Sequence, residues 1–193
     1  MQTAKSGIRV LGIAESFVRG AKKSVFAGVV MRKDLITDGV SLSTATIGGY
    51  DATQAVTKIY RTLKRKDIHC IFLSGCIVSW FNVINIEEVR KATDIPVICV
   101  TYEDSEGIED KIKHYFPEDD RRIQEYKRVG GRFSARLKTG YDVFLRTSGI
   151  SVEEAEWLCN EFVKDGRVPE PLKVARLTAR AALKFITGEG YSI

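Results

Sequence analysis

At 193 residues the chain is long enough to bury one sizeable core, and one domain spanning 1–193 is the expectation. Hydrophobic residues make up 44% and charged residues 28%, ordinary for a soluble globular chain, and no apolar run approaches the length of a helix that crosses a bilayer. A net charge of +5 is compatible with a polyanionic partner without demanding one.

The opening "MQTAKSG" lacks the apolar segment of a signal peptide. Four cysteines, Cys70, Cys76, Cys99 and Cys159, are scattered without a paired spacing. Three of them sit in apolar runs, as reduced core thiols do, so a cytoplasmic protein is expected.

In chain order, three β-type runs come first, at residues 7–15, 24–32 and 35–48. The polar "MRKDL" between the second and third predicts an antiparallel meander. Asp51 is placed to cap a helix whose apolar stripe is Ala52, Val56, Ile59, Tyr60 and Leu63. "IHCIFLSG" (68–75) and "IPVICVTY" (95–102) read as strands buried on both faces. Asn85 heads a short helix between them, which makes a parallel βαβ unit beside the meander. Residues 105–129 read as mostly helical and heavily charged. A β-pair follows at 132–138 and 141–148, turning at Thr139-Gly140. Ser151 and Glu154 form a capping box for the next helix, Gly166 stops it, and Pro169 and Pro171 precede a last amphipathic helix.

This order places the end of the first strand beside that of the fourth, pointing the same way. Clefts in open α/β sheets lie beyond such carboxyl ends. The expected cleft is therefore lined by Ala14-Glu15-Ser16 and Ser74-Gly75-Cys76. Asn82, just after the fourth strand, reads equally as a recognition amide or a turn residue. Trp80 and Phe81 are open to base stacking, to core packing or to an oligomer contact. The basic run 121–138, with Arg132 and Tyr126, fits a phosphate backbone or a solvated helix face.

"RVPEPLKVARLTA" (167–179) and "LRTSGISVEEAEWL" (145–158) resemble endonuclease V. "LGIAESF", "TDGVSL", "GGYDATQ" and "SGCIVSWFNVINI" resemble an uncharacterised endonuclease V-like family called domain of unknown function 99. The fold this implies is ribonuclease H-like: a five-stranded mixed sheet, an antiparallel meander plus a parallel βαβ unit, flanked by helices, with an extra C-terminal β-pair and two helices. The activity it implies is metal-dependent cutting of nucleic acid near a deaminated base, with carboxylates holding Mg²⁺.

The four positions that match the endonuclease V acids or imidazole are Ala14, Gln54, Ser74 and Arg176, and no carboxylate stands at any of them. The resemblance therefore implies a nucleic-acid-binding pseudoenzyme that needs no cofactor, with DNA or RNA as partner. Glu15, Ser16, Gly75, Asn82, Arg146 and Lys173 are the further binding candidates. Two alternatives stay open. One is an active Mg²⁺-dependent endonuclease acting on deaminated or structured DNA or RNA, with its metal relocated to Glu15, Asp51 and Glu103. The other is a small-anion or protein-interaction module on the same scaffold. A homodimer is compatible with all three.

Overall fold

The computed structural model describes residues 7–104 and 107–188. Strands β1 (Arg9–Ser16), β2 (Lys23–Arg32) and β3 (Thr37–Thr46) form the predicted antiparallel meander. β2 is apolar almost without interruption because it is central and covered on both faces. β3 lies at the sheet edge, and most of it alternates buried and exposed residues.

Helix α1 (Ala52–Leu63) follows and buries Ala52, Ala55, Val56 and Ile59. Gly28 of β2 lets it sit close, since a Cβ there would lie 2.3 Å from Ile59 Cγ2. β4 (Cys70–Ser74) then runs parallel to β1. A small hairpin of β5 (Ile77–Val78) and β6 (Asn82–Val83), absent from the sequence reading, stands off the main sheet. Helix α2 (Ile86–Thr93) crosses over to β7 (Val97–Thr101), which is parallel to β4. Asn85 caps α2 as expected, its side chain accepting from the backbone of Glu87 and Glu88.

The charged region is two helices, α3 (Glu109–Tyr115) and α4 (Asp120–Arg128). Residues 105 and 106 of that expected helical stretch lie outside the described residues.

The C-terminal β-pair corrects the five-stranded expectation. β8 (Phe133–Arg136) and β9 (Asp142–Ser148) are not an accessory, because β9 pairs antiparallel with β7 and extends the same sheet. The result is a seven-stranded mixed sheet in the order β3-β2-β1-β4-β7-β9-β8. Pairing with β7 satisfies an edge that would otherwise expose a row of backbone hydrogen-bonding groups.

Two helices complete the fold, α5 (Val152–Phe162) and α6 (Glu170–Thr187). One core, with Leu11, Ile13, Ile59 and Leu73, lies on the α1 and α2 side. Another, with Val10, Phe72, Leu158 and Phe162, lies on the α5 side. Gly12 fixes how α6 approaches the sheet: a Cβ there would meet the Pro171 carbonyl carbon at 2.6 Å. The first turn of α6 thus rests on β1, and this contact sets where Arg176 falls.

Candidate functional site

The carboxyl ends of β1, β4 and β7 open into one pocket of about 640 Å³. Its floor is Ser74 and Gly75 from β4 with Val100, Thr101 and Tyr102 at the end of β7. Gly75, at φ +90°, turns the chain sharply there. One wall is the β5–β6 hairpin with Ser79, Trp80 and Phe81; another carries Arg167 and Arg176 from the approach to α6 and from α6 itself. Lys111, Tyr126, Arg132 and Arg146 line the rest.

Charge in the pocket is lopsided. Five cations, Lys111, Arg132, Arg146, Arg167 and Arg176, face two carboxylates, Glu15 and Glu103. Arg167 donates to the Tyr102 carbonyl at 2.8 Å and to Glu103 Oε1 at 2.6 Å. Arg132 donates to the Glu103 carbonyl and to Asp104. Arg176 has no carboxylate partner among the described residues: its Nη2 donates to Ser74 Oγ at 3.1 Å, and its guanidinium lies 5.8 Å from the Tyr102 ring. Arg146 likewise bonds only a carbonyl, that of Gly130, at 2.9 Å. The Tyr102 hydroxyl is buried beside Ser74, and burial raises its pKa against the opposing pull of Arg176 and Ser74.

Ser74 and Arg176 come together on the α6 face of the sheet, and Ala14, on the same face, does not line the pocket, contrary to expectation. Ala14, 4% exposed, is packed against Val29, Val174 and Ala175. Gln54 does not join them. It is exposed on α1, beside Lys58 and Arg61 and outside this pocket, because α1 buries the face that carries Ala52, Ala55 and Val56.

Glu15 points to the other face of β1, as strand alternation requires. Its Oε1 accepts from the Ser79 backbone N–H at 3.1 Å, and its second oxygen is buried without a partner among the described residues. Burial raises its pKa, and the Ser79 hydrogen bonds offset this only in part.

Several other candidates fall elsewhere. Asn82 is fully buried and is a structural latch rather than a cleft residue. Its Oδ1 accepts from the Ala52 N–H at 3.1 Å, and its Nδ2 donates to the Thr46 carbonyl and to Asp51, both at 2.9 Å. Asp51 therefore does not cap α1; Asn82 accepts from the first helical N–H instead. Asp51 accepts from the Thr46 N–H and hydroxyl. Burial opposes its ionisation, but these donors, Asn82 and Lys23 outweigh it and lower its pKa. Lys173 is tied to Asp165 and Glu170 in the first turn of α6. Ser16 pairs with Val25 in the β1–β2 ladder, and Cys76 is buried in the core; neither lines the pocket.

A relocated metal site is not assembled. Glu15 bonds Ser79, Asp51 bonds Thr46 and Asn82, and Glu103 pairs with Arg167. Among the described residues no three His, Cys, Asp or Glu are grouped to hold a metal ion. The positions carried over from endonuclease V fit Mg²⁺ no better: a buried methyl, an amide outside the pocket, a hydroxyl and a guanidinium offer no anionic oxygen.

A family model described as Endonuclease dU matches residues 6–183. The chain belongs to the Endonuclease dU family. A UPF0215 protein of Pyrobaculum calidifontis is 36% identical over 178 residues, covering 92% of this chain and 98% of that one. A solved structure of a protein of unknown function from Archaeoglobus fulgidus is similar at TM-score 0.80 and 29% identity, covering 91% of this chain and 98% of the other. Endonuclease V of Ciona intestinalis, solved with a 24mer DNA containing an inosine followed by a ribo-adenosine, is similar at TM-score 0.64 and 18% identity over 93% of this chain and 87% of that one. That last likeness speaks for the fold alone. The resemblance to an uncharacterised endonuclease V-related family and the ribonuclease H-like fold both hold for this Endonuclease dU family member.

Sequence reasoning missed Tyr102, Arg167 and Lys111 as pocket residues. Tyr102 was within reach, since it follows the strand parallel to β4. Arg167 lay inside the quoted "RVPEP" run. Lys111 comes from α3, which no rule about strand ends would bring to the cleft.

Proposed function

We propose that this chain binds nucleic acid in the pocket beyond β1, β4 and β7 and does not cleave it by carboxylate-held metal. The observation that carries this reading is the Arg176–Ser74 pair. A guanidinium with no carboxylate partner, bonded to a hydroxyl at 3.1 Å, stands where the resemblance puts metal-binding groups. A fixed cation there attracts a phosphodiester directly, where a carboxylate cluster repels one until metal arrives. Arg146 and Lys111 add charge that no carboxylate neutralises among the described residues. Arginine prongs around a partly apolar hollow suit a phosphate backbone with exposed bases.

The test is a binding titration with single- and double-stranded DNA and RNA, run beside a nicking assay. The nicking panel includes deoxyuridine, after the family description, and inosine, after the DNA bound by Ciona endonuclease V. Binding is expected to survive chelator and to weaken with salt, with a log–log slope of roughly −2 or steeper for a single strand. No strand should be nicked with Mg²⁺ or Mn²⁺. Absence of binding at low salt overturns the proposal, and so does nicking that chelator abolishes.

A further inference from the structure

The hairpin wall has a backbone that calls for explanation. Ser79, Trp80 and Phe81 take φ values of 45°, 60° and 63°, three successive non-glycine residues in the left-handed region. Each is sterically disfavoured for an L-residue, and a run of three persists only where the surroundings over-determine it.

The surroundings do so here. The Ser79 N–H donates to Glu15 and its carbonyl accepts from the Gly48 N–H at 2.7 Å, while its hydroxyl pairs with Ser24 at 2.7 Å. The Phe81 carbonyl accepts from Arg122 at 2.6 Å. Arg122 is itself only 2% exposed. It also donates to the carbonyls of Gly48 at 2.8 Å and Gly49 at 3.3 Å, and pairs with Asp119 at 3.0 Å.

The turn sends Trp80 and Phe81 outward. Val78, Ser79, Asn82 and Val83 around them are buried, whereas these two rings are half-buried and line the pocket. Tyr115, 44% exposed, extends the surface, its ring 4.8 Å from Trp80 and 5.8 Å from Phe81. A core-packing role would not leave the rings at a pocket wall. Arg19, an exposed loop residue, lies over the indole at 4.6 Å, so that face can be reached by a planar group at the cost of one exposed contact. The ledge and the cations line the same pocket. A small anion would use only the cations, and a paired duplex hides its base faces. A ligand that uses both walls carries a phosphate and a free aromatic face on one unit.

We propose that the Ser79–Phe81 turn is a fixed stacking ledge that receives the base of an unpaired nucleotide on Trp80 while Arg176 and Arg146 hold the adjoining phosphodiester. This rests on the nucleic-acid reading above and narrows it to unpaired strands.

Trp80 and Trp157 are the two tryptophans of the chain, so Trp157→Phe leaves Trp80 as sole reporter. That variant is titrated with single-stranded DNA, single-stranded RNA, duplex and an abasic strand, with binding read independently by anisotropy of a labelled oligonucleotide. Indole fluorescence should be quenched in step with single-strand binding and unchanged by the abasic strand; the DNA and RNA arms separate the two sources. Trp80→Gly suits the left-handed backbone, so the fold should hold while single-strand affinity falls about tenfold with the salt slope unchanged. Trp80→Phe should recover most of the loss. Single-strand binding with no quenching, or with undiminished affinity in folded Trp80→Gly, overturns the ledge and leaves the broader reading standing. Anisotropy that detects no binding overturns both. Should Trp80→Gly fail to fold, the fluorescence arm alone decides.

Discussion

On the α6 side of the pocket a regular strand and helix present Ser74 and Arg176, and the guanidinium groups of Arg167 and Arg176 supply charge. On the hairpin side the backbone itself is unusual, and a buried polar network holds two aromatic rings in place. The first wall rests on one close approach, Gly12 against Pro171. The second rests on an arginine that shares its donors among three carbonyls and a carboxylate. The contrast teaches that a charged surface tolerates mobile prongs, while presenting a ring face needs a rigid mount. It also says where each wall should break.

The largest effect is expected from Arg122→Ala. It strands the carbonyls of Gly48, Gly49 and Phe81 and removes the cation paired with Asp119, and should cost about 3–5 kcal/mol. Arg122→Lys should recover little, because an ammonium cannot reach those acceptors as a planar fork does. Urea unfolding measures both, and a loss under about 1 kcal/mol would mean the left-handed turn stands without its clamp. Gly12→Ala comes next. Its Cβ would meet Pro171 at 2.6 Å, backbone against backbone, so α6 must lift; about 1–3 kcal/mol is expected. Unlike Arg122→Ala, it should also weaken nucleic-acid binding through the charged wall, by moving Arg176 away from Ser74. The comparison fails if Gly12→Ala leaves the salt slope intact.

Much of the fold was legible, because strand order follows from apolar runs and turns that the sequence displays. β4 beside β1, with their ends adjacent, came from crossover handedness alone. Membership of β8 and β9 in the main sheet was not legible, since local pattern marks a strand but not its partner. On the site, the strand-end rule pointed to Ser74 and the motif to Arg176, and the two lie within a hydrogen bond of each other. Gln54, matched by its place at the start of the first helix, lies off the pocket because α1 turns the face with Ala52, Ala55 and Val56 into the core. Asn82 took the capping contact expected of Asp51: both suit a cap, and only the hairpin's position decides which one reaches the Ala52 N–H. Nothing local marks Ser79–Phe81 as left-handed, since no glycine stands in it; the cause lies in Arg122, some forty residues later.

Arg176→Ala tests the charged wall alone. Arg176 bonds one hydroxyl and no carboxylate among the described residues, so stability should change little. Affinity for a single strand should fall by about 1 kcal/mol and the salt slope should lessen by about one contact. An unchanged slope would place the phosphate elsewhere.

The smallest effect, and the one that joins the two walls, is expected at Glu15. Burial lifts its pKa above 4.5 in the folded protein, against the Ser79 hydrogen bonds. Below 4.5 both states hold the proton. Between 4.5 and the raised folded value the unfolded chain has released it and the folded chain has not, so stability falls as pH rises through that window and is flat beyond it. Glu15→Gln keeps the acceptor for the Ser79 N–H and cannot ionise. It should remove this slope and leave the protein slightly more stable than wild type at pH 7, as urea unfolding across pH 4–7 would measure. A phosphodiester drawn to Arg176 brings negative charge toward the same carboxylate and raises its pKa further. Binding should then take up a proton and weaken as pH rises through the window, a dependence that Glu15→Gln abolishes. If the variant is instead less stable at pH 7, the hairpin wall requires Glu15 as an anion, and the ledge is held by charge as well as by Arg122.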